Sequence, residues 1–158
     1  MITLYRVTTA ALVLSLGAVV AIDVADAQRR PPRPGRVVSS GRITLPQTYQ
    51  VDFDTGAITQ SGADLWFHAE NWQRMWIEPV CGATQSPARN TAYGRAGCNA
   101  VTIWSPMHRP ISPALTGMHF CMKTNAGNMT EYVVERVIPG NERARRPGQL
   151  IISYTTWG

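Results

Sequence analysis

The sequence predicts an all-β domain, an antiparallel sandwich or small barrel of about six to seven strands, behind an apolar N-terminal segment and a Pro/Arg-rich arm. Three observations carry that expectation. From residue 43 onward, short alternating stretches of apolar and polar residues are broken by Gly, Pro, Asn and Asp, and helical periodicity is absent. The 158 residues suit one domain. Hydrophobic residues make up 44% of the chain, and the one long apolar run lies at the N-terminus. That combination argues against wholesale disorder and against a polytopic membrane protein.

Residues 1–27 read as a secretory signal peptide. Arg6 and the terminal amine supply the positive end, residues 7–22 form an apolar stretch, and Ala25 and Ala27 place small side chains at a cleavage site before Gln28. As a helix the stretch spans about 24 Å, short of a hydrocarbon core of about 30 Å. The alternative is a retained anchor helix. Arg29, Arg30, Arg33 and Arg36 follow the apolar run closely, and positive charge there opposes translocation. The well-formed cleavage site favours export to the periplasm or beyond, with membrane association expected only if residues 1–27 are kept.

The next segment, 28–47, reads as the arm. Residues 28–42 carry five Arg and no acid, whereas 43–142 carry six basic and eight acidic residues, so a basic arm precedes a nearly neutral body. Pro31, Pro32 and Pro34 keep it extended. An exported arm of this kind points to an envelope protein or an anionic envelope surface as partner, not to nucleic acid. A solvated linker would have the same composition.

The β domain is expected over 48–158. Strands are predicted at 48–53, 63–69 and 72–80, the last with Pro79 at its end or on an edge. Residues 81–100 read as a long loop, 101–104 as a short strand, and 106–116 as loop or one weak helical turn. The clearest part is a hairpin of 118–124 and 129–138 about the turn Asn125-Ala126-Gly127-Asn128. After a charged loop over 139–148, residues 149–157 close a second hairpin. Three cysteines in an exported chain imply one disulfide and one leftover thiol, and all three pairings of Cys81, Cys98 and Cys121 are open at this point. No C-x-x-C or His-rich spacing accompanies them, so neither a metal nor a cofactor is expected.

Particular motifs carry a resemblance. Phe53-Asp54-Thr55-Gly56, Ala63-Asp64-Leu65-Trp66-Phe67, the run Cys121-Met122-Lys123-Thr124-Asn125-Ala126-Gly127 and Tyr154-Thr155-Thr156-Trp157 resemble a small uncharacterised domain of exported bacterial proteins. The resemblance covers about 48–158. It implies a compact β domain, export and no stated activity, and it departs at Ala126 and Asn128, where that domain usually has Glu and Arg. The usual two cysteines of the domain match Cys98 and Cys121, which implies that disulfide. Closing a loop of about 24 residues would add about 3 kcal/mol in the chain-entropy picture.

Read as chemistry, the motifs offer several sites. Asp54-Thr55-Gly56-Ala57 matches the loop of a homodimeric aspartic protease half, in which two carboxylates share a proton. Asp52 interrupts the hydrophobic strand expected before it, and Asp and Gly are ordinary turn residues. Asp52-x-Asp54 could contribute to a Ca²⁺ site, but no D-x-[DN]-x-[DN]-G loop with a distal Glu follows. His68, His108 and His119 lack metal-ligand spacing, and no serine sits in a G-x-S-x-G elbow. Trp66, Trp76 and His68 alternate with Leu65, Phe67, Met75 and Ile77, so they form a candidate binding face. Core packing is the competing assignment for the two tryptophans. The expectation is a non-enzymatic interaction or structural module, an accessory subunit of a larger envelope complex, with a carbohydrate-binding module as the alternative and the protease half third.

Overall fold

The computed structural model describes residues 35–158. The segment read as a signal or anchor helix, and Arg29, Arg30 and Arg33 of the arm, lie outside the described residues. Ten strands form two antiparallel sheets of five. Sheet A has the order β1(Val37–Pro46), β10(Gln149–Trp157), β9(Met129–Ile138), β8(His119–Lys123), β6(Thr84–Gln85). Sheet B has the order β3(Ala57–Thr59), β2(Gln50–Asp52), β4(Leu65–Ala69), β5(Met75–Pro79), β7(Arg109–Pro110). Two separate sheets make this a sandwich, not a barrel.

The period-two pattern decides which side chains enter the core. On β10, Leu150, Ile152, Tyr154 and Thr156 are buried while their neighbours are half-buried. On β9, Thr130, Tyr132 and Val134 are buried, and a register shift opposite Ile151/Ile152 then lets Val137 turn inward as well. Sheet B contributes Val51, Leu65, Phe67 and Ile77. Phe53 and Tyr132 stack at 5.3 Å between ring centroids, and Phe120 stacks on Tyr132 at 4.9 Å, which joins the sheets at the centre. The buried Thr156 hydroxyl donates to the Phe53 carbonyl at 2.8 Å, a polar tie through the same core.

Four strands differ from expectation. The arm does not extend to residue 47: Val37–Pro46 is a ten-residue edge strand paired along β10. Arg, Ser and Gly in its first half conceal it, since only Ile43 and Leu45 face the core. Strands β3, β6 and β7 have two or three residues, too few for alternation to register. Residues 101–104 are not a strand; the neighbouring Ser105 instead exchanges backbone hydrogen bonds with Gln85 at 2.9 Å. The expected loop over 81–100 also holds a six-residue helix, α1(Gly94–Asn99), and the weak turn is a 3₁₀ helix at Pro113–Leu115. No helix among the described residues is long and apolar enough to cross a membrane.

Helix α1 lies on the outside of sheet A, and the reason is covalent. Cys98 of α1 and Cys121 of β8 form a disulfide with 5.4 Å between their Cα atoms. Phe120, Cys121 and Met122 are consequently all buried, although adjacent strand residues face opposite ways. Glu131 completes the attachment by accepting from the backbone N–H groups of Tyr93 (2.7 Å) and Gly94 (2.9 Å).

Candidate functional site

Leu65 and Phe67 fill the core, so the alternation of β4 turns Trp66 and His68 to the outer face of sheet B. Register then places Trp76 of β5 opposite His68. The Trp66 indole and His68 imidazole lie parallel, with centroids 3.9 Å apart and planes inclined by 5°. Trp76 stands 5.3 Å from His68, and His108, just before β7, meets Trp76 edge-on at 5.3 Å. The Arg74 guanidinium carbon sits 5.7 Å above the Trp76 ring, within cation–π range. The result is a continuous strip of four rings across three strands' width.

Polar contacts fix the strip without burying it. The Trp66 Nε1–H donates to the Thr48 carbonyl at 3.1 Å, and His68 Nδ1 lies 2.8 Å from Glu78 Oε2. The His68 and Glu78 side chains keep 30% and 31% exposure. Thr48, which anchors the indole, has φ of 72°. A β-branched residue in the left-handed region costs about 1–2 kcal/mol, and such strain concentrates at functional positions. Trp66, Trp76 and His68 thus come together as the alternation predicts. Glu78 shares the outer face of β5 with Trp76, two residues on, whereas His108 and Thr48 join them only through the fold.

The remaining sequence-derived residues fall elsewhere. Cys98 and Cys121 pair, which leaves the Cys81 thiol free and exposed in the turn after β5. Arg36, the last residue of the basic arm, is exposed, and its carbonyl accepts from Gly158 N–H at 3.0 Å. His119 Nδ1 lies 3.0 Å from Glu131 Oε1, at the edge of a shallow outer groove of about 190 Å³ on sheet A. Glu131 also holds the start of α1, so the pair braces helix against sheet.

Asp54 sits in the tight turn between β2 and β3. There Gly56 adopts φ of 76°, and any Cβ would collide with the Tyr154 hydroxyl. The Asp54 Oδ1 accepts from Thr124 Oγ1 (3.2 Å) and Asn128 Nδ2 (2.9 Å) of the β8–β9 turn. Asp64 accepts from the Phe53 and Asn125 backbone N–H groups, both at 2.8 Å. Burial pushes the Asp64 carboxyl up to about 6, opposed by those two hydrogen bonds and reinforced by the neighbouring Asp54 and Asp52. Motif segments separated by some seventy residues in sequence therefore converge at one end of the sandwich.

Comparison with protein-family models, curated proteins and solved structures finds no match.

Proposed function

We propose that the protein is an exported, non-enzymatic interaction module of the bacterial cell envelope, and that it docks a protein partner through the outer face of sheet B. The observation that supports this reading most is the half-exposed strip of Trp66, His68, Trp76 and His108. Rings of this size are usually buried in a core or a contact, and aromatic residues with one polar edge dominate the energetics of protein interfaces. Here Thr48 and Glu78 set the orientation of Trp66 and His68 in advance, which lowers the ordering cost of binding. The face-to-face pairing of Trp66 with His68 occupies one side of each ring. That favours an amphipathic protein surface over a pyranose stacked flat on both indoles.

The test is site-specific photo-crosslinking from position 76 in intact cells, combined with fractionation. The reading expects a discrete cross-linked envelope protein, lost when Trp66 is replaced by Ala. Retention by insoluble glycan that Trp66→Ala abolishes, without any protein adduct, would transfer the surface to the carbohydrate reading. Peptide cleavage lost in Asp54→Asn would replace both with the protease.

A further inference from the structure

We infer that Asp52, Asp54 and Asp64 form a calcium site at the end of the sandwich where the β2–β3 and β8–β9 turns meet. One carboxylate oxygen from each residue lies within 4.8 Å of the others. Oxygens sharing a Ca²⁺ at about 2.3–2.6 Å stand at most about 5 Å apart, so the three reach a common ion with little movement. The donors are all carboxylate oxygens, with no thiol or imidazole among them, which selects a hard cation.

A second observation concerns what these groups lack. Asp54 Oδ2 is closed off from solvent and receives no hydrogen bond, although Oδ1 of the same carboxylate has two donors. A buried acceptor left unpaired costs about 1–3 kcal/mol, and more when it is charged. Asp64 is fully buried beside it. Among the described residues, no Lys, Arg or His forms an ion pair with any of the three aspartates. A divalent ion would supply the missing partner to Oδ2 and offset three clustered negative charges.

The surrounding hydrogen bonds hold the carboxylates in position. Asp52 Oδ1 accepts from Asp54 N–H and Asp52 Oδ2 from the Thr55 hydroxyl, each at 2.8 Å. Asp64 is fixed by one N–H from each sheet's turn, Phe53 and Asn125. Water would complete the six to eight oxygens that calcium takes. An ion there would tie the β2–β3 turn to the β3–β4 connection, whose carboxylates already accept hydrogen bonds from the β8–β9 turn, so its binding would be read as stability.

The experiment uses the purified full chain, stripped with chelator and dialysed. Calorimetric titration with CaCl₂ should show one site, with affinity in the range of about 10⁻⁴–10⁻³ M or tighter. Ten-fold excess calcium should raise Tm relative to NaCl at matched ionic strength, by RT ln(1 + [L]/Kd) in free energy. Asp54→Asn should abolish the heat and the shift while the far-UV circular dichroism stays native. The half-exposed Asp52→Asn serves if Asp54→Asn does not fold. No heat and no shift with the unaltered protein would overturn the site, as would full calcium binding in a folded variant. An equal response to MgCl₂ would overturn its assignment to calcium.

Discussion

On sheet A the outer face is closed over where β8 and β9 meet α1: the helix lies on Cys121, a disulfide holds it, and Glu131 receives its first N–H groups. On sheet B the corresponding face carries Trp66, His68 and Trp76, the first two held by hydrogen bonds and all three left half-exposed. Both faces belong to five-stranded sheets over one core, so burial requirements alone do not explain the difference. A disulfide and a capping carboxylate are stabilising devices. A ring strip anchored to a strained Thr48 holds surface in a defined shape without covering it. The first face serves the fold, and the second is the one we propose for a contact.

The comparison breaks first on sheet A. Replacing both Cys98 and Cys121 with Ser should cost about 3 kcal/mol, from a loop whose ends are 23 residues apart. Urea unfolding of the variant, or of the protein under reducing agent, measures it. An unchanged midpoint would show that the disulfide contributes nothing to the stability of the fold.

A smaller effect tests the carboxylate end shared by both sheets. With chelator present, Asp64 holds its proton up to about pH 6 in the folded chain, whereas unfolded Asp loses it near pH 4. The folded state binds more protons across that window, so stability is greatest below about pH 4. It declines as pH rises to about 6 and then levels off. After allowance for solvent screening the decline is on the order of 1–2 kcal/mol. Thermal scans of the unaltered protein against Asp64→Asn isolate this component. Parallel pH profiles for the two proteins would remove Asp64 from the account.

Thr48→Gly probes the strain on sheet B. The Thr48 side chain is exposed and its φ is 72°, so glycine should relieve the conformation and raise stability by about 0.5–1 kcal/mol. A loss of stability would mean that the hydroxyl or methyl makes a contact that supports the turn.

Much of this arrangement was legible in the sequence because one periodicity governs it. Alternation in residues 65–69 fixes which side chains face the core, and from that the outward direction of Trp66 and His68 follows. The β8–β9 hairpin announces itself through Asn125 to Asn128. Strand β1 was hidden because an edge strand needs only two core residues, Ile43 and Leu45, and its first half shares the arm's polar composition. The calcium candidate was half visible. Asp52 and Asp54 are neighbours in sequence, but Asp64 arrives through the β3–β4 connection and Thr124, Asn125 and Asn128 arrive from the other sheet. His108 reaches Trp76 in the same way, through a two-residue strand with too little pattern to detect.

The claim that the aromatic strip exists for contact and not for folding is tested most directly by thermal unfolding of the Trp66→Ala/Trp76→Ala double variant, measured beside its ability to cross-link. Truncating large buried aromatics costs about 3–5 kcal/mol each. The account predicts instead a combined loss of about 1 kcal/mol or less, a Tm within a few degrees of the unaltered protein, and no partner adduct. A fall of the size expected for core residues would contradict it and return both rings to the packing of sheet B.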